Sequence, residues 1–270
     1  MFPSRSAKAA AADEKIPREA VVDKTMISEF IFDREEERKR IDQFLVRKRP
    51  FLVYGPSGVG KTLLLRSVLS EFRFVLYCGD SSTINLVFRG LARSLLRMGS
   101  PRMKKAFRDE DSIATKSAVS LKGIVMDALR EGEYLIMLDH LKRPSYSFAA
   151  AVREIMGWGS TPVGAVARSC HMEDTGFLQP LYGDRSQKCE IRNFDDSMAN
   201  RFVREMTVRS HLSGTNISEF LNKVLEFSAG NPGAIIAMID MATHPKYRFD
   251  EHIKISPLYI DFRMNGGGTR

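Results

Sequence analysis

Eight consecutive residues constrain this chain more than any other feature: Gly55-Pro56-Ser57-Gly58-Val59-Gly60-Lys61-Thr62. They fit GxxxxGK[ST] without a mismatch. They lie between the apolar run Phe51-Leu52-Val53-Tyr54 and a helical stretch, Thr62–Phe72. Strand, glycine-rich loop and helix in that order suit a polyphosphate, and each residue type has a reason. Glycines let backbone N–H groups turn inward around the phosphates. The start of the next helix adds a partial positive charge. The Lys61 ammonium reaches the β- and γ-phosphates as a point charge, and the Thr62 hydroxyl is offered to Mg²⁺. Leu63, the next residue, belongs to the same nucleotide-contacting stretch. The alternative, an ordinary glycine turn before a helix, does not account for the full octad in this context. The expected ligands are ATP and Mg²⁺.

The segments around the octad alternate. Asp33–Lys48 reads as a helix, with acids at its start and bases at its end. Phe74–Cys78 reads as a second strand and Ile84–Met98 as a helix, with Leu86, Leu91, Leu95 and Leu96 near helical spacing. Ser100–Asp111 is polar and basic and is expected to be a loop or exposed turn. Ala114–Leu129 is helical. Tyr134-Leu135-Ile136-Met137-Leu138-Asp139 has the continuous apolar character of a strand buried on both faces. A helix over Ser147–Met156 and strands over Val163–Ala167 and Lys188–Ile191 follow. The pattern predicts an α/β fold: a parallel sheet of about five strands with helices on both faces.

From Asp195 onward the strands stop. Asp195 or Asp196 caps a helix through Val208, Asn216 or Ser218 another up to Gly230, and Pro232 opens a third. This helical stretch is expected to be too short for a core of its own and to pack beside the sheet. The chain is therefore divided into a flexible tail (1–25), a nucleotide-binding domain (26–193), a helical lid (194–245) and a C-terminal tail (246–270), frayed at Gly266-Gly267-Gly268.

The balance of 43% hydrophobic and 27% charged residues is that of an ordinary globular protein. No run of about 18 apolar residues is present, so no membrane span is expected. The N-terminus has no strongly apolar stretch, which argues against a signal peptide. The three cysteines, Cys78, Cys170 and Cys189, form no CxxC pair, and the five histidines show no ligand spacing. These features predict a reduced, cytoplasmic protein. A net charge of +8 favours polyanion partners such as DNA.

Several residues outside the octad carry chemistry. Asp139 ends its strand where a carboxylate holds Mg²⁺, often through water; otherwise it is a strand-end acid that caps the next turn. His140 follows where many related hydrolases carry a glutamate. It is either structural, with slow turnover, or a base working near pH 7. Arg168, at the tip of the Val163–Ala167 strand, either senses a γ-phosphate or is a surface arginine. Gly230-Asn231-Pro232-Gly233 is a helix stop and restart. Arg185 is a turn residue or an arginine finger reaching a neighbour's nucleotide. Arg89, Arg93 and Arg97, continued by Arg102, Lys104, Lys105 and Arg108, form a basic face that is either solvated or a contact for a DNA backbone.

Together these elements resemble the AAA+ and STAND branches of the P-loop ATPases, in particular STAND-type and origin-recognition ATPase cores, over about Ile31–Met241. The family's hhGRExE segment, which lies against the adenine, is similar to Phe30-Ile31-Phe32-Asp33-Arg34-Glu35-Glu36-Glu37, with Asp33 in place of the glycine. The resemblance places Phe32 and Arg34 near the base. It makes Arg168 the first sensor and Gly230-Asn231-Pro232 the GxP motif, with Pro232 opening a lid helix over the nucleotide. It implies a strand order of 5-1-4-3-2 and a lid over about Asp195–Ala242. The acid after the Walker B aspartate is replaced by His140, and little chain follows the lid. The expectation is a slow ATP-dependent switch core that works on a protein partner or a second copy. A DNA-dependent ATPase for replication or transposition is the alternative, and a small-molecule kinase ranks last.

Overall fold

The computed structural model describes residues 33–159 and 161–265. The first half contains α1 (Glu35–Val46), β1 (Phe51–Tyr54), α2 (Lys61–Leu69), β2 (Val75–Cys78), α3 (Ile84–Arg97), α4 (Pro101–Ala106), α5 (Glu110–Ala114) and α6 (Ala118–Arg130). β3 (Leu135–Leu138), α7 (Tyr146–Gly157), β4 (Val163–Ala167), the short α8 (Met172–Thr175) and β5 (Lys188–Glu190) complete the sheet domain. All strand pairs are parallel, in the order β2-β3-β4-β1-β5. This is the expected 5-1-4-3-2 arrangement viewed from the other edge.

The strands are apolar because helices cover both faces. Phe51 and Val53 of β1 join Leu135 and Met137 of β3 against α1 and α2. Leu52, Ile136 and Leu138 point to the opposite side, against α3, α6 and α7. Gly164 stands between two large neighbours in the first layer. A Cβ there would lie 2.6 Å from both Phe51 Cζ and Met137 Sδ. Helix starts follow their caps: Thr83 accepts from the Leu86 N–H at 3.3 Å, and acids fill the first turn of α1.

The stretch Ser100–Asp111, expected to be a loop, instead supplies α4 and the start of α5. Its charges mask two apolar residues, Met103 and Phe107, which with Ile113 just beyond are buried against α3 and α6. Pro101 opens α4, and Asp109 with Ser112 forms a capping box for α5.

The stretch expected to be a lid contains α9 (Asp196–Arg209), α10 (Ile217–Ser228) and α11 (Pro232–Thr243). A short antiparallel pair, β6 (Arg248–Phe249) and β7 (His252–Ile253), and α12 (Ile255–Met264) follow. Two expectations are corrected here. The helical stretch has a core of its own, in which Phe202, Val203, Phe220, Val224, Ile235, Met238 and Ile239 are buried. The segment after residue 245 is folded through Met264 and is part of that core. Tyr247, Ile253, Leu258 and Phe262 close one side of it, so three helices gain the apolar area they lack alone. Residues 266–270, including the triple glycine, lie outside the described residues.

Candidate functional site

The loop between β1 and α2 takes backbone angles that favour glycine. Gly58 and Gly60 have φ of 80° and 91°. A Cβ on Gly55 would meet the Ile191 carbonyl oxygen at 2.0 Å. Lys61 folds back over the loop. Its Nζ donates to the carbonyls of Gly55 and Pro56, both at 2.7 Å. Burial lowers the Lys61 pKa to about 8; Asp139 opposes this and Arg168 adds to it. A cation with a reduced hold on its proton thus stands where a polyanion would restore it.

Asp139 follows β3 directly and is 1% exposed. β4 separates β3 from β1 in the sheet, yet Thr62, in the first turn of α2, reaches across. Its Oγ1 donates to Asp139 Oδ2 at 2.9 Å. The His140 N–H donates to Oδ1 at 2.8 Å. A third donor comes from the neighbouring strand: the Tyr77 hydroxyl of β2 also donates to Oδ2. Burial and this carboxylate push the Tyr77 phenol well above its ordinary pKa. A buried carboxylate beside a hydroxyl at the phosphate loop is a hard oxygen donor set, which fits Mg²⁺. Among the described residues no group of three or more His, Cys, Asp or Glu could hold a metal alone.

Next to the loop lies a cavity of about 110 Å³ between sheet and lid. Gly58, Val59, Gly60, Leu63, Ile191, Phe194, Pro232 and Ile236 line it, with Arg34 at its wall. Arg34 builds that wall. Its guanidinium lies 4.7 Å from the Phe194 ring centre and donates to the Arg192 carbonyl at 2.6 Å and to Glu37 at 2.9 Å. The lid helix α11 starts on the loop itself, since the Gly233 N–H donates to the Gly58 carbonyl at 2.9 Å.

No protein-family model and no curated protein sequence matches the chain. Solved structures do. The Walker-type ATPase PABY2304 of Pyrococcus abyssi is similar with a TM-score of 0.59 at 19% identity, over 88% of this chain and 75% of that one. Orc1 of Aeropyrum pernix, solved in complex with DNA, gives 0.62 at 14% identity, over 91% and 68%. Cdc6p of Pyrobaculum aerophilum gives 0.57 at 13% identity, over 91% and 67%. The chain shares the fold of these structures.

In this fold the other expected residues are placed as follows. Arg168 is exposed at the end of β4, near enough to Lys61 to lower its pKa. Pro232 and Leu63 line the cavity with Arg34; Phe32 lies outside the described residues. His140 turns outward at φ 54°. Its side chain is 64% exposed, and its Nε2 lies 3.9 Å from Asp139 Oδ2. Arg185 is exposed in a short 3-10 turn away from the loop, and its carbonyl accepts from Arg40 at 3.2 Å.

The basic face on α3 carries its own counter-charges. Arg97 makes a two-point contact with Glu110, which Arg93 approaches at 4.0 Å. Arg102 bridges Asp127 and Glu131. Sequence reasoning missed Tyr77, Phe194 and the contacts of Asn231. Tyr77 and Phe194 read as ordinary apolar residues of a strand and a linker. Asn231 was visible only as a helix start and as the middle residue of the expected GxP motif.

Proposed function

We propose that the chain is a Mg²⁺-dependent ATP-binding protein that hydrolyses ATP slowly and works as a nucleotide switch. The observation that carries this reading is the meeting of Thr62 and the buried Asp139 at 2.9 Å beside Lys61. It joins the phosphate-binding loop to a carboxylate across one strand. Thr62 and Asp139 would hold the Mg²⁺, which when bound neutralises charge on the β- and γ-phosphates. Lys61 exchanges two loop carbonyls for phosphate oxygens. The cavity walled by Phe194, Pro232 and Arg34 takes the base. Arg168 faces the γ-phosphate from the tip of β4 and reports its presence. The outward turn of His140, where an acid would activate water, supports slow turnover. The output of such a switch is a change in the lid that a protein partner, or a second copy of the chain, reads.

Calorimetry with MgATP and MgGTP, with Lys61→Ala as control, tests the reading. Binding of MgATP by the wild-type protein and its loss in the variant are expected. Undiminished MgATP affinity in Lys61→Ala refutes the site. A DNA-stimulated ATPase is the second reading, supported by the charge of +8 and the likeness to a DNA-complexed Orc1. The pairing of Arg93, Arg97 and Arg102 with acids weighs against α3 as its contact surface. ATP turnover measured with and without DNA separates the two.

A further inference from the structure

A loop that turns successive N–H groups inward must turn carbonyls outward, and each carbonyl needs a donor. Here the donors can be counted. Lys61 Nζ supplies Gly55 and Pro56, and the Leu64 N–H supplies Gly60 at 3.0 Å. The lid supplies two of the three between. Asn231 Nδ2 donates to the Ser57 carbonyl at 2.8 Å, and the Gly233 N–H donates to Gly58 at 2.9 Å. Asn231 is 2% exposed and is held on both sides of its amide. Nδ2 also donates to Asn193 Oδ1 at 3.1 Å, in the linker between sheet and lid, and Oδ1 accepts from the Ala234 N–H at 3.1 Å. The approach is too close for other residues. A Cβ on Gly58 would lie 2.6 Å from Asn231 Oδ1, and one on Gly233 would lie 2.9 Å from Gly58 Cα.

We propose that Asn231 is a positioning residue of the phosphate loop, holding the Ser57 carbonyl outward and tying phosphate occupancy directly to the lid. The inference rests on the nucleotide reading above and adds to it which end of the nucleotide moves the lid. Once Lys61 turns to phosphate, the carbonyls it held are released. The lid contacts then remain as the ties that keep the loop's outer face in place. A polyphosphate without a base is therefore sufficient to tighten the start of α11.

The test uses the full chain with inorganic tripolyphosphate and Mg²⁺, followed by calorimetry and by hydrogen exchange. In the wild-type protein, binding slows exchange at the Gly233 and Ala234 amides. Asn231→Ser keeps a helix-capping oxygen for Ala234 but lacks a donor that reaches Ser57. It binds tripolyphosphate about tenfold more weakly, loses the exchange response, and keeps its unfolding midpoint within a few degrees. Asn231→Asp, which keeps shape and cap but has no donor and adds a negative charge beside the loop, binds tripolyphosphate more weakly still and loses the same exchange response. Equal affinity in Asn231→Ser, or wild-type binding with no change at Gly233 and Ala234, overturns the inference alone. The wild-type exchange arm decides even if a variant does not fold. If the wild-type protein takes up neither tripolyphosphate nor MgATP, the nucleotide reading itself fails.

Discussion

At the scale of single residues, the site sets a half-buried cation and a buried carboxylate side by side with different supports. Lys61 is held by carbonyls, which solvate an ammonium less well than water, and its pKa falls to about 8. A bound polyphosphate raises that pKa again. Nucleotide affinity is therefore level below pH 8 and declines as pH rises through about 8, where the free protein gives up its Lys61 proton. Binding near that pH takes up protons, which calorimetry in buffers of different ionisation enthalpy measures directly. Lys61→Ala abolishes both the binding and the proton uptake. Asp139 has three donors, from Thr62, Tyr77 and the His140 N–H. Tyr77→Phe removes one of them and leaves the ring packed. It should cost about 1–2 kcal/mol, read by chemical denaturation. MgATP still stabilises the variant, because Thr62 and His140 still hold the carboxylate.

At the scale of elements, the lid shows how apolar area decides what folds. Three helices, α9 to α11, surround a core whose fourth side is filled by Tyr247, Ile253, Leu258 and Phe262. Ending the chain after Thr243 removes all four. At about 1.5–3 kcal/mol for each large side chain, the loss is on the order of 6 kcal/mol or more, comparable with the whole stability of a small domain. The lid of the truncated protein should exchange its amide hydrogens rapidly across residues 196–243, while the sheet domain stays protected. The same reasoning accounts for α4 and α5. Met103, Phe107 and Ile113 are few and lie among charges, but each fills a gap beneath α3. Composition alone marks that stretch as solvent-facing.

At the scale of the whole molecule, sheet domain and lid meet at the phosphate loop and the cavity beside it. A ligand that touches both stabilises both. MgATP at about a hundred times its Kd should add about 2.7 kcal/mol and raise the melting midpoint by about 5–10 °C, with no shift in Lys61→Ala. Differential scanning calorimetry checks this. The ion pairs on α3 to α6 are exposed, so each contributes about 0–1 kcal/mol. Their larger effect is on the outer field: they leave Arg93, Arg97 and Arg102 less able to gather a polyanion.

The five strands and the phosphate loop were legible in the chain because their causes are local; the strand order came only from the family resemblance. Strands covered on both faces read as unbroken apolar runs, glycines mark positive φ, and Lys61-Thr62 follow them at fixed spacing. Asp139 was legible for the same reason, as an acid ending such a run. The folded C-terminal segment, the helices within Ser100–Asp111, the Tyr77 hydroxyl on Asp139 and the Asn231 amide on Ser57 were not. Each depends on partners distant in sequence, 62 residues for Tyr77 and 174 for Asn231, at a distance that only packing sets. Asn231 reads as a helix cap from its neighbours in sequence. Only the docking of α11 on the loop gives its second hydrogen-bonding face a carbonyl to hold.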